Sequence, residues 1–253
     1  MRFKSFLNLF LLFFVFSTHL ILPVASSEDV EVLSHTGYID SLGCYHVVGE
    51  ILNLGDQAIN FVHVNVTFYD SQGNVIDTRF DLTMLFVIMP GQKSPFDVAF
   101  LDAEQSSRVH EYSLEIKFSK TSPLPQGLEI LSHDSYIDES GRLHITGEIK
   151  NIADKRAHNV EVIATFYDSN GKVVAAISHD VDPEMPHLDP NETKSFEIIL
   201  ESDRARYTAT YELTAESNEY TIIPELPIWA LIIIILLTTL TMVSKNLINR
   251  KHK

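Results

Sequence analysis

The chain has 253 residues, enough for one large domain or two small ones, and its 45% hydrophobic and 21% charged content is ordinary for a folded protein. A single cysteine, Cys44, excludes an intrachain disulfide, so the fold must hold by its core. The formal net charge of −15 deepens to −21 over residues 28–227, where 34 acidic residues stand against 13 basic ones; such a surface repels phosphate backbones and excludes nucleic acid as a partner.

Residues 1–27 read as a signal peptide. Arg2 and Lys4 open it, residues 6–16 are apolar apart from Asn8, and Ala25-Ser26-Ser27 supplies small residues for cleavage. An uncleaved N-terminal anchor is the alternative, which Ser17-Thr18-His19 weakens as a permanent span.

Residues 28–121 form the first folded unit, with an apolar period of two. Tyr45, Val47, Gly49 and Ile51 alternate with His46, Val48, Glu50 and Leu52. Val62, Val64, Val66 and Phe68 alternate with His63, Asn65, Thr67 and Tyr69. Both runs are half-buried strands. Asp70-Ser71-Gln72-Gly73 supplies an Asx-type turn with a glycine for positive φ, and Val75-Ile76 starts the return strand of a hairpin. Pro90-Gly91 marks another turn, and strands over 96–100 and 112–118 close the unit.

A short connector over residues 122–127 is stiffened by Pro123 and Pro125. Residues 128–220 then repeat the first unit. Positions 32–75 align with 130–173 at a constant offset of 98, without a gap, and 22 of the 44 pairs are identical. Gly49-Glu50-Ile51 becomes Gly147-Glu148-Ile149, and Thr67-Phe68-Tyr69-Asp70-Ser71 becomes Thr165-Phe166-Tyr167-Asp168-Ser169. In the copy, Leu143, Ile145, Gly147 and Ile149 alternate more cleanly with His144, Thr146, Glu148 and Lys150. Pro190-Asn191 marks the second turn, with strands over 195–200 and 207–215. This is the duplication of one domain, because solenoid units are far shorter. Six or seven short strands per unit without amphipathic helices predict an all-β chain of two tandem immunoglobulin-like β-sandwiches, without the cysteine and tryptophan signature of antibody domains.

Residues 221–227, with Pro224 and Pro227, read as a stalk, and residues 228–248 as a transmembrane helix. The uncharged stretch over 228–243 covers about 24 Å as a helix. Extension to residue 248, with Lys245 snorkelling, brings it to membrane thickness. Trp229 stands where an interfacial aromatic belongs. Lys245, Arg250, Lys251 and Lys253 follow with no acid, so the tail over 249–253 is expected in the cytoplasm and both units outside.

Val48-Gly49-Glu50-Ile51 with Asn53, the strand 62–70, Gly73-Asn74-Val75-Ile76 and Met89-Pro90-Gly91-Gln92 before Pro95-Phe96 together resemble the FxLYD family of small surface domains. The second copy repeats most of this pattern. The family's naming motif reads Val66-Thr67-Phe68-Tyr69-Asp70 and Ala164-Thr165-Phe166-Tyr167-Asp168 in this chain. The resemblance implies immunoglobulin-like sandwiches at a cell surface without known catalysis. Ile223-Pro224-Glu225-Leu226-Pro227 before an apolar span is similar to archaeal C-terminal surface-anchoring tails, which implies either a retained anchor or a tail cut and replaced by lipid.

Four kinds of site come into question. His35/His133 and His46/His144 persist in both copies, and paired histidines on a sheet face can hold a transition metal, but no dense Cys/His cluster accompanies them. A cupredoxin set fails for the duplicated design because Arg142 replaces Cys44 in the copy, which leaves it open for the first unit alone. Asp40, Asp138, Asp70 and Asp168 suit turn capping better than calcium, which needs six to eight oxygens. Asn65-Val66-Thr67 and Asn191-Glu192-Thr193 are glycosylation sequons, with Asn191 in a predicted turn and Asn65 on a strand's outer face. No nucleophile elbow, phosphate loop or zinc-protease motif appears. The expectation is a single-pass cell-membrane protein without cofactor or metal, non-catalytic. It would engage the membrane through its C-terminal helix and an unknown surface or envelope protein through its two domains. The alternative is a metal- or solute-binding accessory subunit of a transport or sensory system.

Overall fold

The computed structural model describes residues 29–185 and 187–223. The expected signal peptide, the membrane helix over 228–248, the tail over 249–253 and most of the stalk lie outside those residues. Among the described residues, no helix is long and apolar enough to cross a membrane.

The first repeat contributes β1 (Val30–Ile39), β2 (Tyr45–Asn53), β3 (Ala58–Tyr69), β4 (Val75–Leu82), β5 (Val87–Ile88), β6 (Lys93–Phe100), the single helical turn α1 (Ala103–Ser106) and β7 (Glu111–Thr121). The second contributes β8 (Gln126–Ile137), β9 (Leu143–Asn151), β10 (Ala157–His158), β11 (Glu161–Tyr167), β12 (Val173–Asp180), β13 (His187–Leu188), β14 (Thr193–Leu200), the turn α2 (Ser202–Ala205), β15 (Thr210–Glu216) and β16 (Thr221–Ile222). The expected strand over 207–215 begins three residues late because Tyr207 and Thr208 close α2 by hydrogen bonds to Arg204 and Ala205. β8 starts at Gln126, inside the connector expected over 122–127.

In the first repeat, β1-β2-β6 form one antiparallel sheet, and β4-β3-β7, with β5 added to β3, form the other. Their inward faces meet as a sandwich. Val47, Ile51, Phe96, Val98 and Phe100 from one sheet pack with Val62, Val64, Val66, Phe68 and Leu114 from the other. The second repeat has the same pairings, β8-β9-β14 and β12-β11-β15. There β16 pairs antiparallel with β15 and parallel with β8, joining both sheets into one seven-stranded order. Its core holds Ile145, Ile149, Val162, Ala164, Phe166, Phe196 and Ile198.

The duplicated residues explain themselves locally. Asn53 is fully buried, donating to the carbonyls of Gln57 and Ile88 at 2.9 Å and accepting from the Gly55 amide at 3.0 Å. Asn151 does the same with Lys155, Leu188 and Ala153. Buried amides satisfied in this way fix a loop against its sheet. A Cβ on Gly49 would lie 2.4 Å from the Phe96 ring and 2.6 Å from the Ser34 carbonyl, and Gly147 is equally enclosed by Phe196 and Ser132. The aspartates cap turns as expected. Asp40 accepts from the Leu42 and Cys44 amides, Asp70 from Gln72 and Asn74, Asp138 from Ser140 and Arg142, and Asp168 from Asn170 and Lys172.

Candidate functional site

The histidines kept in both copies fall into two designs. His35, half-buried, and His133, exposed, bond across the sandwich to the hydroxyls of Tyr112 at 2.7 Å and Tyr211 at 2.9 Å. His46 and His144 point outward, each between two carboxylates. His46 meets Asp97 through Nδ1 at 2.9 Å and Asp40 through Nε2 at 3.4 Å. His144 meets Glu197 at 2.8 Å and Asp138 at 3.2 Å in the same way. Tyr38 stacks on His46 and Tyr136 on His144, with ring centroids 5.1 and 4.7 Å apart.

The bond to Asp97 raises the His46 pKa against the opposing effect of burial, and the bonds to Glu197 and Asp138 raise that of His144. Both nitrogens of each ring are therefore engaged by carboxylates. Among the described residues, no group of three or more His, Cys, Asp or Glu side chains is placed to hold a metal ion. Cys44 is buried, its thiol directed at the Leu101 carbonyl at 3.6 Å.

The most extensive polar construction lies between the repeats. The outward face of β1-β2-β6 stacks on the outward face of β12-β11-β15. Val48, Tyr167 and Val173 form a buried cluster there, flanked by Tyr38. Ile163, outward from its own core by strand parity, is buried in the first repeat's cluster. Ser34 and Thr36 bind both polar groups of the Val173 backbone. The Val173 amide donates to Ser34 at 3.1 Å, and Thr36 donates to the Val173 carbonyl at 2.7 Å. Arg204 lies 3.8 Å above the Tyr38 ring, which places the His46 stack under the seam.

A charged network crosses the same seam. The Tyr167 hydroxyl donates to Glu50 at 2.6 Å, and Lys93 pairs with Glu212 and, at 3.4 Å, with Glu50. Glu50 is only 4% exposed. Burial raises its pKa, while Tyr167 and Lys93 pull it back. Burial works against the charge of Lys93, yet Glu212 and Glu50 outweigh it and raise its pKa. Burial, then Glu50, drives the Tyr167 pKa up, so the phenol stays a donor. Beside the network opens a cleft of ≈ 780 Å³, lined among others by Glu50, Lys93, Pro95, Thr165 and Glu212. Met89, Pro90, Leu213 and Ile222 add an apolar part to its lining.

Further along, Glu216 of β15 is buried and accepts from the backbone amides of Phe86 at 2.5 Å and Val87 at 3.3 Å. Burial lifts its pKa to about 7 against the pull of those amides, and Glu161 adds to the rise.

Of the sequence-predicted sites, Asn191 sits exposed in the left-handed turn before β14, with φ of 63°. Asn65 is on the outward face of β3, its amide donating to the Glu115 carbonyl at 3.3 Å. The structure does not bring the two together. Sequence reasoning missed Lys93, Tyr167, Arg204 and Glu216. The available signal was apolar residues at outward positions, since Val48 and Ile163 break an otherwise polar alternation.

The fold and seam together define an all-β protein of sandwich-like sheets with a buried inter-repeat contact. No protein-family model matches the chain. A stretch of 87 residues is 29% identical to the uncharacterized protein MJ0360 of Methanocaldococcus jannaschii, covering 34% of this chain and 63% of that protein. The chain thus spans less than two thirds of this relative's length. Among solved structures it is similar to IrmA of Escherichia coli (15% identity, 39% of this chain and 86% of that one, TM-score 0.26). It is also similar to red sea bream transglutaminase (8%, 80% and 32%, 0.25) and to the exo-chitosanase CsxA of Amycolatopsis orientalis (15%, 76% and 26%, 0.27). Superpositions at these scores assign no activity to the chain.

Proposed function

We propose that this chain is a membrane-anchored surface protein whose two tandem immunoglobulin-like domains, of the FxLYD type, act as one non-catalytic docking module. The observation that carries the reading is the seam. Two repeats joined only by a short connector bury Glu50, Tyr167, Val48 and Val173 between them, so the outer surfaces are held in a fixed relation. A fixed pair of sheet faces suits recognition of another protein, because less ordering is lost on binding. The basic tail and the apolar span over 228–248 support an external position. Exposed Asn191 is the proposed glycan acceptor.

Membrane-impermeant amine labelling of intact cells carrying the full chain tests the reading. Exposed Lys155 and Lys172 of the second repeat should be modified without cell lysis, and Lys251 and Lys253 only after it. The opposite pattern overturns the topology.

A further inference from the structure

The duplication supplies two copies of each sheet face, and the seam uses one of each. The outward face of β1-β2-β6 is covered by the outward face of β12-β11-β15. Their counterparts, the outward face of β4-β3-β7 in the first repeat and that of β8-β9-β14 in the second, are left uncovered by the described residues. We infer that these two free faces bind each other between copies of the chain, so that the seam recurs from molecule to molecule in an open, head-to-tail row. This rests on the docking-module reading and names its partner as a second copy of the chain.

The recurrence can be traced residue by residue. In the seam, Tyr167 donates to Glu50; the matching pair on the free faces is Tyr69 and Glu148. Glu148 is exposed, whereas Glu50 is buried. Val173 is fully buried in the seam, while its counterpart Val75 is 60% exposed. Val75 pairs with Tyr69 across β3–β4 as Val173 pairs with Tyr167 across β11–β12. Ser34, which receives the Val173 amide, is matched by Ser132.

Lys93 has no direct match, because Thr193 takes its place. Lys150, directly opposite Thr193 in β9, restores a cation two residues from Glu148. Ser132, Thr146, Glu148, Ser195 and Glu197 line a shallow groove at the position that the second repeat fills in the first. The free face of β4-β3-β7 also exposes Phe80 and Leu82, more apolar area than a solvated sheet face requires.

Several differences weaken the recurrence relative to the seam: on the free face of the first repeat Asn65, Ser113 and Lys117 stand where the seam has Ile163, Glu212 and Glu216. Asp134 replaces Thr36 and cannot donate to a backbone carbonyl, and Thr146 replaces Val48. The contact between copies is therefore reversible, whereas the seam is held within one chain. Because the two faces differ, the contact is heterologous and does not close on itself as a two-fold dimer does.

Disulfide trapping in membranes holding the full chain tests the inference, in a Cys44→Ser background. Val75→Cys and Thr146→Cys in the same chain should give, on mild oxidation, a ladder at two, three and four times the monomer mass. The two substitutions on separate chains should give dimers only when mixed, and neither should cross-link alone. Val75→Cys pairing with itself would overturn the head-to-tail arrangement. Cross-linking of Val75→Cys to a protein of another mass would give the face to a different partner, overturning this inference while leaving the docking module intact. If no disulfide forms, sedimentation of the cysteine-free full chain in detergent decides: concentration-dependent growth in mass supports the row, and a monomer throughout overturns it. A glycan found on native Asn65 would also overturn it, since that residue lies within the free face. Failure of the labelling test above would remove the external location alone, because trapping reports only contact between copies.

Discussion

The hydroxyl of Tyr167 donates to the carboxylate of Glu50 at 2.6 Å, across 117 positions of sequence, and closes the seam at a point where both residues are buried. Tyr167→Phe removes the donor without changing the ring and leaves Glu50 with Lys93 as its remaining partner. A hydrogen bond to a charged group is worth about 1.5–3 kcal/mol. The variant should lose about that much stability in urea unfolding. Tyr69→Phe, at the equivalent uncovered position, should stay within about 0.5 kcal/mol of the parent. Equal losses in the two variants would contradict the role of the seam.

Glu216 makes stability depend on pH in a defined direction. Its folded-state pKa is about 7 against an ordinary 4.5, so the folded chain holds the proton more tightly than the unfolded one. The stabilisation from this group is complete below pH 4.5 and lost as pH rises through 7, by roughly 3 kcal/mol. Glu216→Gln keeps one acceptor, for the nearer Phe86 amide, and carries no charge. Thermal unfolding from pH 4 to pH 8 should show a shallower decline for this variant than for the parent, with Gln gaining at the alkaline end.

His46 and His144 should titrate above 6.5, observable as ring-proton shifts in NMR. Their contribution is fully present below about pH 6.5, the unfolded value, and falls as pH rises through the raised folded value. Asp97→Asn removes the strongest partner of His46 and should lower its midpoint while leaving that of His144 in place.

Gly49→Ala and Gly147→Ala should each destabilise the chain by about 1–3 kcal/mol, the usual cost of overpacking a core. The added carbon meets a ring carbon at 2.4 or 2.5 Å and a backbone carbonyl at 2.6 or 2.5 Å. Gly73→Ala meets nothing within 4 Å, and its cost is limited to the positive φ of the turn. Unfolding midpoints separate the two kinds of glycine.

Much of this fold could be read from alternation and turn chemistry. The alternating residues of β2 and β3 face as their parity predicts, Asp70-Ser71-Gln72-Gly73 closes the hairpin, and turns form at Pro90-Gly91 and Pro190-Asn191, where Gly91 and Asn191 take positive φ. The seam was not read, because alternation reports which side of a strand faces its own core and is silent about a second surface beyond it. Ile163 and Val173 look like irregularities until that surface is seen. Glu216 was invisible for a related reason: a carboxylate at a strand end normally meets water, and only the approach of Phe86 and Val87 from the other repeat buries it.

The parallel pairing of β16 with β8 has a mechanical consequence. The chain leaves the described region at Ile223, just beyond β16, whereas the first repeat pulls on β8 from its opposite end at Gln126. Tension between these points runs along both strands in opposing directions. The bonds from the Thr221 amide to the Pro125 carbonyl and from the Ile223 amide to the Leu128 carbonyl are therefore loaded in shear and must yield together, not one after another as in an unzipping hairpin. Such a fastening resists force applied between residue 223 and the first repeat.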